Sequence, residues 1–186
     1  MSVRELNHIR ALGIVGSPRR KGNTDMLVDA VLGGAEEAGA LTDKVLLNEL
    51  NISPCQSCNR CESGECIQHD DMAALLTQME QSQLWVLGTP IYWWGPSAQF
   101  KTFLDRWYGV RRVVFKNRQV ILVIPLGGSE RFARHTVGML TDVFNYLGMN
   151  LVATILAPGA SRLGAVRSHA AELDAAHDAG QKAVEM

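Results

Sequence analysis

Long hydrophobic runs are missing from this chain of 186 residues. No stretch approaches the ~18 apolar residues that a membrane-spanning helix needs. No basic and then apolar leader opens the sequence either, so a cytoplasmic protein is expected. Charge of one sign is also lacking. Eighteen Lys and Arg stand against nineteen Asp and Glu, for a net charge of −1, which favours neither nucleic acid nor an anionic membrane as partner. Cysteine is scarce, with four in all, and all four lie between residues 55 and 66. In a reducing compartment such a cluster suits a metal site better than disulfides. No Ser/His/Asp set or carboxylate pair suggests hydrolysis. No Gly-x-Gly-x-x-Gly follows the first predicted strand, and no Gly-x4-Gly-Lys-Ser/Thr occurs. A dinucleotide grip of the Rossmann kind and a nucleoside triphosphate site are therefore not indicated.

What is present is a regular alternation of strand and helix. Ile9–Val15 is apolar on nearly every residue and ends at Gly16-Ser17-Pro18, which predicts a buried strand. Helix is expected from Thr24 to about Ala38, with Met26, Leu27, Ala30, Val31 and Ala35 as its apolar stripe. Thr42–Asn48 reads as a weaker strand, and Asn51–Asp71 as a loop without periodicity. Asp70 or Asp71 is placed to cap a helix carrying Met72, Leu75, Leu76 and Met79. Leu84–Leu87 is a short strand and Ser97–Tyr108 a helix, with Phe100, Phe103, Leu104 and Trp107 on one face. Gln119–Leu126 is the strongest strand. Arg131–Leu147 reads as helix, Leu151–Leu156 as a last strand, and Val166–Val184 as a terminal helix.

Five such units within the length of one domain, residues 1–186, predict an α/β fold. Its centre is a doubly wound, five-stranded parallel sheet of the flavodoxin-like kind. Ligands of that architecture sit beyond the carboxyl ends of the strands. The loops at 16–24, 88–96 and 126–130 are thereby marked out. The cysteine loop at 53–70 follows the second strand at the same sheet edge.

The loop Gly16–Thr24 has what a phosphate dianion requires. Gly16 and Gly22 permit tight turns, so that main-chain N–H groups converge. Ser17, Asn23 and Thr24 add short donors, Arg19 adds charge, and a helix start adds its positive end. A basic surface turn with a helix cap is the alternative. With dinucleotide and triphosphate disfavoured, a monophosphate remains, and FMN suits this fold. Aromatic residues form 6% of the chain, yet Tyr92, Trp93 and Trp94 stand side by side after Pro90 and Ile91. They read as the wall of a flat ring, or as packing under the next helix or across a subunit boundary. Gly127 and Gly128 would let backbone approach the ring from its other side, or they simply form a turn.

Cys55-x2-Cys58-x2-Cys61-x4-Cys66 is compact enough for thiolates to wrap a [4Fe–4S] cube. Zinc usually takes two knuckles separated by a longer excursion. Free thiols without metal are the third option. Asp105 and Arg106, neighbours on one helix, read as a solvated ion pair, with an interface pair or a cofactor contact as the alternatives. Arg111, Arg112, Arg131 and Arg134 read as surface charge, with NADPH phosphates or an acidic electron partner as the alternative; His69 reads as a loop residue, or as an alternative ligand, and His135 and His177 as helix residues without metal partners.

Gly-Ser-Pro-Arg-x-x-Gly-Asn-Thr, the cysteine run followed by Asp70-Asp71-Met72, Gly88-Thr89-Pro90-Ile91-Tyr92-Trp93, and Lys101-x-Phe103-x-Asp105-Arg106 occur in that order. In combination they resemble the iron–sulfur flavoprotein branch of the NADPH-dependent FMN reductase family, over most of the first 130 residues. The resemblance implies that Ser17, Arg19, Gly22, Asn23 and Thr24 hold FMN phosphate, and that Pro90, Ile91, Tyr92 and Trp93 line the flavin. It also implies that Cys55, Cys58, Cys61 and Cys66 carry a [4Fe–4S] cluster near a subunit boundary of a homodimer or homotetramer. The expected activity is electron transfer from NAD(P)H or ferredoxin to a small-molecule or protein acceptor, with no catalytic side chain required. The alternatives are a cluster-free NAD(P)H:FMN or quinone reductase, and a non-catalytic electron carrier or zinc-stabilised binding module.

Overall fold

The computed structural model describes residues 8–64 and 66–186; residues 1–7, where a leader would begin, lie outside it. Its chain order is β1 (Arg10–Val15), α1 (Asn23–Glu37), β2 (Leu41–Leu46), α2 (Met72–Gln81), β3 (Leu84–Gly88) and α3 (Ala98–Asp105). β4 (Gln119–Pro125), α4 (Arg134–Leu147), β5 (Asn150–Ala157) and α5 (Ala170–Glu185) follow. The strands form one sheet in the order β2-β1-β3-β4-β5 with every pairing parallel. Between β1 and β3 the winding reverses, so the loops leaving these two strands part to opposite faces and open a crevice. The expected architecture is the one found.

Alternation along the strands divides the core in two. Leu12 and Ile14 of β1, Trp85 and Leu87 of β3, and Val120, Leu122 and Ile124 of β4 pack beneath α2, α3 and α4. Ala11 and Val15, Leu84 and Val86, and Ile121 and Val123 face α1 and α5. Central strands buried on both faces explain why their apolar runs are continuous in sequence. β2 lies at an edge and has no buried residue, and there its Asp43 and Lys44 are tolerated. Asp43 accepts from Arg10 at 3.1 Å, while Lys44 reaches Asp25 at 2.6 Å and Asp29 at 2.5 Å.

Three predicted helices differ at their ends. The helix expected over 97–108 stops at Asp105 and tightens into a 3-10 turn at Arg106–Gly109. The one expected from Arg131 begins as 3-10 turn at Glu130–Ala133, with α4 proper starting at Arg134. The terminal one is broken at His169, leaving a 3-10 turn at Ala165–Ser168 before α5. In that turn the Val166 N–H donates to Asn23 Oδ1 at 3.1 Å, a tertiary bond that a local pattern does not announce.

Candidate functional site

β1 delivers the chain into the crevice at Gly16, whose N–H donates to the Gly88 carbonyl at 2.7 Å. A Cβ here would lie 2.8 Å from Phe100 and 3.0 Å from Gly88 O, so this close approach requires glycine. Ser97, which caps α3, donates its hydroxyl to the Gly16 carbonyl and fastens the loop to the start of that helix. The Ser17 hydroxyl accepts from the Arg19 N–H at 3.2 Å. Gly22 then turns back with its N–H on the Arg19 carbonyl at 3.1 Å.

Gly22 is the N-cap of α1, and no side chain caps that helix. The first-turn N–H groups of an uncapped helix, together with its dipole, favour an anion. Asp25, buried in the first turn, would oppose one. Its charge is occupied, because it accepts from the Lys21 N–H at 2.7 Å and from Lys44 Nζ at 2.6 Å. Burial draws the Lys44 pKa down, but hydrogen bonds and charge from Asp25 and Asp29 outweigh it and hold the ammonium above its ordinary value.

Ser17, Arg19, Asn23 and Thr24 meet Pro90, Ile91, Tyr92 and Gly127 around one cleft of about 210 Å³. Three of the loops singled out in the sequence are thus brought together. The role expected of the Asn23 side chain is corrected. Its Nδ2 donates to the carbonyls of Ala160 at 2.9 Å and Arg162 at 2.8 Å, while Oδ1 accepts from Val166. The carboxamide is spent on the segment after β5, which leaves the Asn23 main-chain N–H for a ligand. That segment also supplies Ala160 and Ser161 to the cleft. The sequence reading missed both residues. They follow the carboxyl end of β5, so the rule that selected the other loops would have found them.

A second, apolar cleft of about 190 Å³ adjoins the first and shares Ile91, Leu126 and Gly127 with it. Trp93, Trp94, Gly128 and Phe132 complete it. The aromatic loop is pinned at its neck, where the Ser97 N–H donates to Thr89 Oγ1 at 3.0 Å. Tyr92 and Gly95 exchange main-chain hydrogen bonds of 2.9 and 3.0 Å. That leaves Trp93 (φ 50°) and Trp94 (φ 62°) as the two central residues, both left-handed. Such turns normally carry Asn-Gly, and two bulky residues held there store backbone strain of the kind found at ligand clamps. Thr136 secures the turn by donating to the Trp94 carbonyl at 2.8 Å. Trp93 is 91% exposed, so packing under the next helix is not its role.

All four cysteines line a single cleft of about 380 Å³, closed behind by the Arg106–Gly109 turn. None is in a disulfide. Four thiols in one cleft suit a thiophilic centre, and Glu62 and Asp105 share its lining. Among the described residues, however, no three His, Cys, Asp or Glu groups are drawn close enough to hold a metal ion. Asp70 and Asp71 tie the neck of the loop, accepting from the Ser53 N–H at 2.9 Å and the Asn51 N–H at 2.7 Å.

Arg106 departs from the solvated pair expected with Asp105. Successive helical residues point about 100° apart, and Asp105 turns outward to Lys101 at 2.6 Å. Arg106 turns inward to Asp70 at 2.5 Å, with both side chains almost fully buried. Burial pushes the Asp70 pKa up, but hydrogen bonds from Arg106, Ser53 and Met72, together with the Arg106 charge, hold it below the ordinary carboxylate value of 3.8. A depressed carboxylate stabilises the fold above its ordinary pKa and ceases to do so as the pH falls through the depressed value. Acidification below 3.8 is therefore expected to open the neck, read as faster amide exchange over residues 51–71. Asp70→Asn should show that fast exchange at neutral pH already.

The family model described as NADPH-dependent FMN reductase matches residues 9–161. This chain belongs to that family. The match spans β1 through the Ala160–Ser161 turn and so includes every residue of both clefts and the cysteine loop. Among its relatives are iron–sulfur flavoproteins. One from Archaeoglobus fulgidus is 41% identical over 53% of this chain and 45% of its own length, so less than half of that relative is represented. One from Methanocaldococcus jannaschii is 39% identical, over 69% of this chain and 67% of the relative. One from Methanosarcina thermophila is 30% identical over 77% of both. The family fold also appears in solved structures of low identity. An NAD(P)H:quinone oxidoreductase from Methanothermobacter marburgensis superposes with a TM-score of 0.75 at 18% identity, covering 95% of this chain and 96% of that one. A flavone reductase gives 0.77 at 20% identity, covering 95% and 62%. No helix among the described residues is long and apolar enough to cross a membrane.

Proposed function

We propose that this protein is an FMN-containing oxidoreductase that takes electrons from NAD(P)H or a protein donor and passes them through a [4Fe–4S] cluster to an acceptor. One observation carries the reading: the uncapped start of α1 opens into a polar cleft that continues, through Ile91, Leu126 and Gly127, into an aromatic one. A molecule with a phosphate at one end and a flat apolar ring at the other matches that sequence of surfaces. Ser17, Arg19 and Thr24, with the Asn23 main chain, would hold the phosphate, and Gly22, whose N–H is spent on the Arg19 carbonyl, would shape the turn that presents them. Pro90, Ile91, Tyr92 and Trp93 would face the flavin on one side, and Gly127 and Gly128 on the other. Bound there, FMN supplies the exchange between two-electron and one-electron chemistry. The chain's own part is to orient the ring, exclude water from it and balance its charge.

Cys55, Cys58, Cys61 and Cys66 would hold the cluster. The names of the iron–sulfur flavoprotein relatives and the shared cleft support this. Open spacing of the thiols favours a second reading, a cluster-free reductase. A reducing, cytoplasmic setting suits either. The exposed Tyr92 and Trp93 beside the cleft fit a homodimer or homotetramer that covers them.

Anaerobic purification followed by iron, zinc, sulfide and FMN analysis decides between these. FMN with about four irons per chain supports the cluster reading; FMN alone supports the second, and zinc without flavin refutes both. Arg19→Ala is expected to weaken FMN binding about tenfold, as loss of a charge-assisted contact should. Arg112, whose guanidinium stacks on Tyr146 at 4.1 Å, is outside the cleft, and Arg112→Ala should leave the affinity unchanged. Calorimetric titration of the two apo-variants checks the contrast.

A further inference from the structure

We infer that Arg106 is a positioning residue for the cysteine site, setting where Cys66 Sγ stands; this rests on the reading that the four cysteines hold an iron–sulfur cluster. Arg106 opens the turn behind the cysteine cleft, and its side chain is 4% exposed. A guanidinium so buried is costly unless its donors are met. Nη1 donates to the Ser53 carbonyl at 3.0 Å and to Asp70 Oδ2 at 2.5 Å. Nη2 points to Cys66 Sγ at 3.6 Å.

The three acceptors are the start of the loop, its end and its fourth thiol. One rigid planar fork therefore fixes the neck and the last sulfur together, which the single point charge of a lysine could not do. Asp70 balances the Arg106 charge at neutrality. The sulfur of Cys66 then meets an N–H donor on a cation, and hydrogen bonds to ligating sulfur raise the potential of a bound cluster.

The test uses full-length protein, reconstituted anaerobically with ferrous iron and sulfide, in wild-type, Arg106→Gln and Arg106→Lys forms. Iron, labile sulfide and FMN are counted, and the cluster potential is read by an EPR-monitored redox titration. Arg106→Gln is expected to keep its FMN, to lose iron affinity about tenfold, and to show a more negative potential in the residual cluster. Arg106→Lys is expected to recover part of the potential but not the affinity. Should Arg106→Gln lose FMN through misfolding, Arg106→Lys carries the test, with lower iron loading at full FMN as the supporting result. A folded variant that loads iron like wild type at the same potential overturns the inference. Lower loading at an unchanged potential in both variants also overturns it, since Arg106 would then anchor the loop without acting on sulfur. Wild-type protein that takes up neither iron nor sulfide overturns the cluster reading and this inference together, and that control separates the two failures.

Discussion

Gly180→Ala and Gly34→Ala are each expected to lower the unfolding free energy by about 3 kcal/mol, at the upper end of overpacking costs. The neighbouring Gly33→Ala is expected to raise it by up to about 1 kcal/mol. α1 and α5 cross with their backbones almost touching. A Cβ on Gly180 would lie 1.9 Å from the Val31 carbonyl oxygen and 2.9 Å from the Ala35 nitrogen. A Cβ on Gly34 would lie 1.9 Å from the His177 carbonyl oxygen. These are main-chain atoms inside helices and cannot swing aside, so the helices must separate. The nearest atom to a Cβ on Gly33 is the His177 ring at 4.0 Å, and alanine there simply removes the helix penalty of glycine. Urea unfolding of the three variants measures the contrast. FMN affinity should fall with stability in the first two, because α1 presents its start to the phosphate cleft.

Cys58→Ser is expected to abolish the iron and sulfide content of anaerobically purified protein while leaving the FMN content intact. Thiolate is the ligand, and a serine hydroxyl is a poor substitute for it at neutral pH. Independence follows from geometry, since no residue lines both the cysteine cleft and the phosphate cleft. Simultaneous loss of flavin and iron would show instead that the cysteine loop shapes the flavin site. Retention of iron would remove Cys58 from the ligand set.

How legible the molecule is in its sequence depends on how local the cause is. The runs at 10–15, 84–88 and 119–125 are strands because each is buried on both faces, and that burial is written directly as unbroken apolar residues. The stripe of Phe100, Phe103 and Leu104 is likewise both pattern and packing. Gly16–Thr24 is legible because a turn, a helix start and basic residues are contiguous. Contacts between distant residues leave no such mark. The Asn23 carboxamide is engaged by partners 137 to 143 residues away, and Arg106 finds Asp70 across 36. For that reason Asn23 reads as a side-chain donor to phosphate and Arg106 as a surface charge, and the structure alters both. The break at His169 has the same origin, because the turn before it is fixed by Asn23. Trp93 and Trp94 show the opposite case: their clustering is plain in sequence, whereas their left-handed backbone runs against every local preference.

The central claim is that a phosphate, gripped at the start of α1, anchors the flavin. Calorimetric titration of the apoprotein with FMN and with riboflavin tests it most directly, since the two differ by that phosphate alone. Loss of two charge-assisted hydrogen bonds should cost about 3 kcal/mol or more, so riboflavin is predicted to bind at least about a hundredfold more weakly. Equal affinity for the two would contradict the account.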